Sequence, residues 1–180
     1  MNVPLVVADS VTALPAEARG AVIVTGSHGG MIAAHYAISA GVRAAIFNDA
    51  GRGLDDAGIA GVVALEHAGM AAAAVAHTSA RIAVAADTLA RGVIAFANAK
   101  AAALGVSPGL TCREAVERLA AASMPTGELE AQREGAVRSG RMKVDEAHRL
   151  LRRPPTRPGD PGDGDGHVHP EALPHAPCHR

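Results

Sequence analysis

The chain has 180 residues, 48% of them apolar and only 2% aromatic, with a formal net charge of -1. That length supports one domain with a real core plus an appendage. The near-zero charge argues against a nucleic-acid partner, since affinity for phosphate backbones comes from clustered cations.

The start, MNVPLVVADS, lacks the basic region and long apolar stretch of a secretory signal. Two cysteines, Cys112 and Cys178, are too few for a disulfide framework. No apolar run reaches the roughly 18 residues of a membrane helix. A cytoplasmic protein with no membrane partner is the expectation.

In chain order, residues 3–8 read as a first buried strand ending in Asp9 and Ser10, followed by a short link around Pro15. Residues 21–25 read as a second strand and 31–40 as the helix after it, stopped by Gly41. Residues 42–47 form the third strand, and Asp55 or Asp56 can cap a helix running to Ala68. Gly69 stands where a left-handed helix terminus belongs. Residues 70–76 make the fourth strand, and a long helix is expected over 85–104.

Apolar run, polar break and Gly-terminated helix repeat as βα units do, and the strands lack the polar alternation of a half-exposed sheet. Right-handed crossovers then give a small three-layer α/β sandwich over residues 1–122, with a mainly parallel sheet of about four strands. Alanine and valine carry its interior, so each residue gains little from burial. A homo-oligomer would be one way to bury more.

Beyond Gly105, Thr111 and Glu114 have the spacing of a capping box. Residues 123–153 are charged and expected to be a helical arm; Asn98 and Lys100 before it are expected to face solvent. Residues 154–180 are rich in His, Pro, Gly and Asp and are expected to be disordered. His167, His169, His175, Cys178 and His179 are metal-binding types, which keeps a metal-handling role open.

Three strand ends carry the chemistry: GSHGG (26–30), NDAGRG (48–53) and HTSAR (77–81). Parallel strands align their carboxyl ends along one edge, where open α/β folds bind ligands. Ser27, His28, Asp49 and His77 are the catalytic candidates. Ser27, His77 and Asp49 have the types of a nucleophile, a base and an orienting acid. His28, Asp49 and His77 alternatively have the types of a two-His, one-carboxylate metal site.

Gly29, Gly30, Asn48, Ser79 and Arg81 are candidates for holding substrate. The glycines offer backbone N–H groups, and Arg81 offers a planar fork for a carboxylate or phosphate. Each also has a plain structural reading: a tight turn, a capping residue, or for Arg81 a salt bridge to Asp49 or Asp87. Cys112, in a first helical turn with no histidine near it in sequence, reads as an inert thiol.

The expected function is a small cytoplasmic enzyme acting on an anionic or amide-containing small molecule, hydrolysis first and lyase or isomerase chemistry next. A non-catalytic subunit recognising a phosphate or carboxylate is the alternative. The residues assign no cofactor and no core metal.

Overall fold

The unbroken apolar runs become strands, and the computed structural model, which describes residues 3–129, contains five of them. They are β1 (Leu5–Ala8), β2 (Val22–His28), β3 (Ala44–Asn48), β4 (Ala71–Val75) and β5 (Ile94–Ala97). The sheet order is β1-β2-β3-β4-β5, with the first four strands parallel and β5 antiparallel to β4. β3 and β4 are buried along their whole length, as a sheet covered on both faces requires.

Two helical layers cover it. One face, with Ile23, Ala45, Phe47 and Ala72, packs on α1 (Met31–Ser39) and α2 (Ala60–His67) through Ala34, Val62 and Leu65. The other, with Val24, Ala44, Ile46 and Val75, packs on α4 (Ala99–Ala102) and α5 (Cys112–Leu119), while α3 (Ala85–Arg91) lies over β2 and β1. The result is a three-layer α/β sandwich. The link from β1 to β2 manages its parallel crossover with two 3₁₀ turns, Val11–Ala13 and Ala16–Ala18, which bury Val11 and Ala18. β4 is four alanines and a valine; with so little side chain to bury, its stability depends on close approach of the layers.

The expected helix over 85–104 is interrupted. Gly92 ends α3, and the run from Ile94 to Ala97 pairs with β4 as a fifth strand. A Cβ on Gly92 would collide with the Thr88 carbonyl, so the turn into β5 needs glycine there. Asn98, expected at the surface, is buried: its side chain accepts from Ala72 N–H and Ala101 N–H and donates to the carbonyls of Val62 and Met70. It caps α4 and ties that helix to α2 and β4.

Asp55 and Asp56 do not cap α2, which begins at Ala60 after Ile59. Both sit in left-handed backbone, and Asp56 pairs with Arg52 at 2.7 Å. Gly41, Gly69 and Gly105 do follow their helices with positive φ. The Thr111–Glu114 capping box forms in full. Of the expected arm at 123–153, residues 123–129 are not helical, Gly127 N–H bonds the Ala68 carbonyl, and the rest lies outside the described residues, as does the whole tail at 154–180.

Candidate functional site

After β4 the chain turns back across the carboxyl edge of the sheet, and residues 76–85 form a strap over it. Each strand end contributes a tie, met in reverse order. Asp49 Oδ1, after β3, accepts the His77 N–H at 2.8 Å, and Asn48 Nδ2 donates to the Ala80 carbonyl at 3.0 Å. The Gly26 carbonyl, in β2, accepts Ala83 N–H at 2.7 Å, and Asp9, after β1, accepts Ala85 N–H at 2.8 Å. Ser79 closes the start of the strap, donating to the Ala76 carbonyl and accepting from Val93 N–H. Much of the polarity at the strand ends therefore satisfies strap backbone groups that would otherwise lie unpaired near the core.

Asp49 does more than hold the strap. Its Oδ1 also accepts Gly51 N–H at 2.9 Å and meets His77 Nδ1 at 3.0 Å. The Asp49 side chain is 8% exposed and that of His77 is 48% exposed. A carboxylate offers no proton, so Nδ1–H is the donor, and the neutral ring carries its lone pair on Nε2. Ala50, Gly51, Arg52 and Gly53, all at positive φ, curl the loop after β3 beside this imidazole, so that a Cβ added at Gly51 would touch its ring.

Ser27 and His28 lie on β2, the strand next to β3 on the side away from β4. Residues 25–27 of β2 stand opposite Phe47 alone, a bulge between the Val24–Ile46 and His28–Asn48 pairs that re-aims the strand end. The Ser27 hydroxyl oxygen accepts Val11 N–H at 3.0 Å rather than meeting His77. His28 Nδ1 accepts Gly30 N–H at 3.2 Å. Both residues line a cleft of about 330 Å³, together with Asp9, Tyr36 and Ile82; neither Asp49 nor His77 is in its wall.

The Ser27–His77 contact of a nucleophile and its base is thus not formed here, and the strap's ties at Ala80 and Ala83 fall between the two along the edge. His28, Asp49 and His77 do not converge either: among the described residues no group of three His, Cys, Asp or Glu could hold a metal ion. The amides of Gly29 and Gly30 are both engaged, the first by the Asn48 carbonyl and the second by His28. Arg81 is exposed, and its backbone N–H, not its fork, meets Asp87 at 2.8 Å. Cys112 is buried, which pushes its thiol up to about 12, so it is an inert packing residue.

Asp9, Tyr36 and Ile82 of the cleft are the residues that sequence reasoning passed over. Asp9 carried a signal, since it also follows a strand. Tyr36 and Ile82 carried none, because their place depends on where α1 and the strap run. Among the described residues no helix is long and apolar enough to cross a membrane. Comparison with known protein families, with characterised proteins and with solved structures gives no match in any of the three.

Proposed function

We propose that the chain is a small acid–base enzyme, with hydrolysis of an amide or ester in a small metabolite as its reaction. The observation behind this reading is the Asp49–His77 pair: a nearly buried carboxylate fixing one ring nitrogen at 3.0 Å while the imidazole stays half exposed. His77 Nε2 takes a proton from water as the water oxygen adds to the substrate carbonyl. The carbon–nitrogen or carbon–oxygen bond then breaks, and the leaving group departs with the proton from His77. Water replaces Ser27 as nucleophile, because the Ser27 hydroxyl is turned to Val11. Asp49 is a positioning residue in this scheme.

The test is hydrolysis of a panel of small amides and esters by the full chain, its His77→Gln variant and its Asp49→Asn variant. General base catalysis supplies about 10²–10⁴-fold, so His77→Gln should lose that much in kcat with the fold intact. Turnover unchanged in His77→Gln contradicts the role of His77, and no turnover on any member of the panel removes hydrolysis.

A non-catalytic ligand-binding role is the second reading, supported by the strap. Asp9, Asn48 and Asp49 all bind it, so Asp49 fits equally as one tie among several. In that case Asp49→Asn alters stability and no chemistry accompanies it.

A further inference from the structure

The cleft between the end of β1, the end of β2 and the strap has no part in the acid–base scheme, and its walls differ from the surroundings of His77. At about 330 Å³ it falls at the lower end of small-molecule sites, which run from about 300 to 1,000 Å³. We infer that it is a second binding site, for a small uncharged molecule carrying a primary amide on a short apolar body.

The hydrogen-bonding inventory carries this. His28 Nδ1 is taken by Gly30 N–H, so the neutral ring has its proton on Nε2 and offers a donor. That is the opposite tautomer to His77. The Ser27 oxygen already accepts from Val11, which leaves its O–H as a second donor. Asp9 is held by Ala85 N–H through Oδ1, and its other oxygen remains an acceptor. Ser10 and Thr12, also in the wall, bond each other at 2.8 Å.

A primary amide has one strong acceptor and two donors on a single planar group. Its carbonyl suits His28 and Ser27, and its NH₂ suits Asp9. An anion is disfavoured, because among the described residues the wall contains a carboxylate and neither lysine nor arginine. The apolar part of the ligand meets Ile32 and Ile82, each about half exposed (50% and 49%), and the Tyr36 ring. Gly26 forms part of the floor; the strap at Ala83 and Val84 packs so close that no Cβ fits there.

Tyr36 is the single tyrosine of a chain without tryptophan, so its fluorescence reports on this cleft alone. The full chain is titrated with butyramide, butyrate and butylammonium, following that fluorescence. Butyramide should give a saturable change, with butyrate at least about tenfold weaker. His28→Asn keeps an acceptor for Gly30 N–H and removes the Nε2 donor; it should weaken butyramide about tenfold, the loss of one good hydrogen bond. Ser27→Ala should weaken it similarly, with unchanged tyrosine emission before ligand is added confirming the fold. His77→Gln should leave the titration unchanged whether or not the chain hydrolyses anything. No saturable response to butyramide, tighter binding of butyrate or butylammonium, or an unaltered affinity in His28→Asn overturns the inference.

Discussion

Asp49 and His77 are joined twice, since one carboxylate oxygen accepts both the backbone N–H of His77 at 2.8 Å and its ring Nδ1 at 3.0 Å. The residue's position and its ring orientation are thus set by the same atom. Asp49→Ala should cost about 2 kcal/mol of stability, because several N–H groups lose their acceptor. His77→Gln keeps the backbone bond and alters a half-exposed side chain, so it should shift stability by no more than about 0.5 kcal/mol. Urea unfolding of both variants checks this, and equal losses would show that the ring itself is a structural element.

The strap passes so close to β2 at Gly26 that an added Cβ would run into the backbone of Ala83 and Val84. Ala83 already sits at a φ of 63°, so the strap has little freedom to yield. Gly26→Ala should destabilise the protein by about 2 kcal/mol and, through displacement of the strap, abolish the butyramide response of Tyr36. Thermal unfolding together with the fluorescence titration measures both. A stable variant with an intact titration would mean that the strap is loosely held.

Asn98 is 2% exposed and makes four hydrogen bonds between α2, β4 and α4. Asn98→Ala orphans several buried backbone groups and should cost about 3 kcal/mol. Asn98→Asp should be no better, since it supplies acceptors where the Val62 and Met70 carbonyls need donors. Denaturant midpoints for the two variants check the ordering.

Asn98 marks the point at which local pattern ceases to specify the fold. The strands β2, β3 and β4 were legible because each opens on an unbroken apolar run that gives way to turn residues. β5 was not, because Leu89, Ala90 and Arg91 before it and Ala99, Lys100, Ala101 and Ala102 after it are good helix formers, and alanine fits both periods. Gly92 before a β-branched and aromatic run, and Asn98 after it, are the signals that mark the break. At the site, the carboxyl edge was legible from the repeated βα units, but Asp49 meets His77 because β3 and β4 are neighbours, an order that no local residue fixes, and Ser27, expected beside them, turns to Val11 instead. The strap was not legible: its tie from Asp9 to Ala85 spans 76 residues, and no local pattern encodes a contact that distant.

Asp87 is bound by the Arg91 side chain and then by the Arg81 backbone N–H, and its carboxyl is lowered to about 2 from the ordinary 3.8. A depressed folded-state value stabilises the fold above 3.8, and that contribution fades as pH falls towards about 2. The stability gap between the natural chain and Asp87→Asn should therefore shrink across that interval and stay flat above it. Unfolding at a series of acid pH values checks it; a gap that widens in acid would contradict the assignment.

The most direct test of the proposed chemistry needs no substrate. Long-range proton–nitrogen correlation spectra of the neutral His77 ring identify which nitrogen carries the proton. His77 should show Nδ1–H with a bare Nε2, and should lose that preference in Asp49→Ala. A neutral His77 with its proton on Nε2 would leave no base facing solvent, and would contradict the role given to the Asp49–His77 pair.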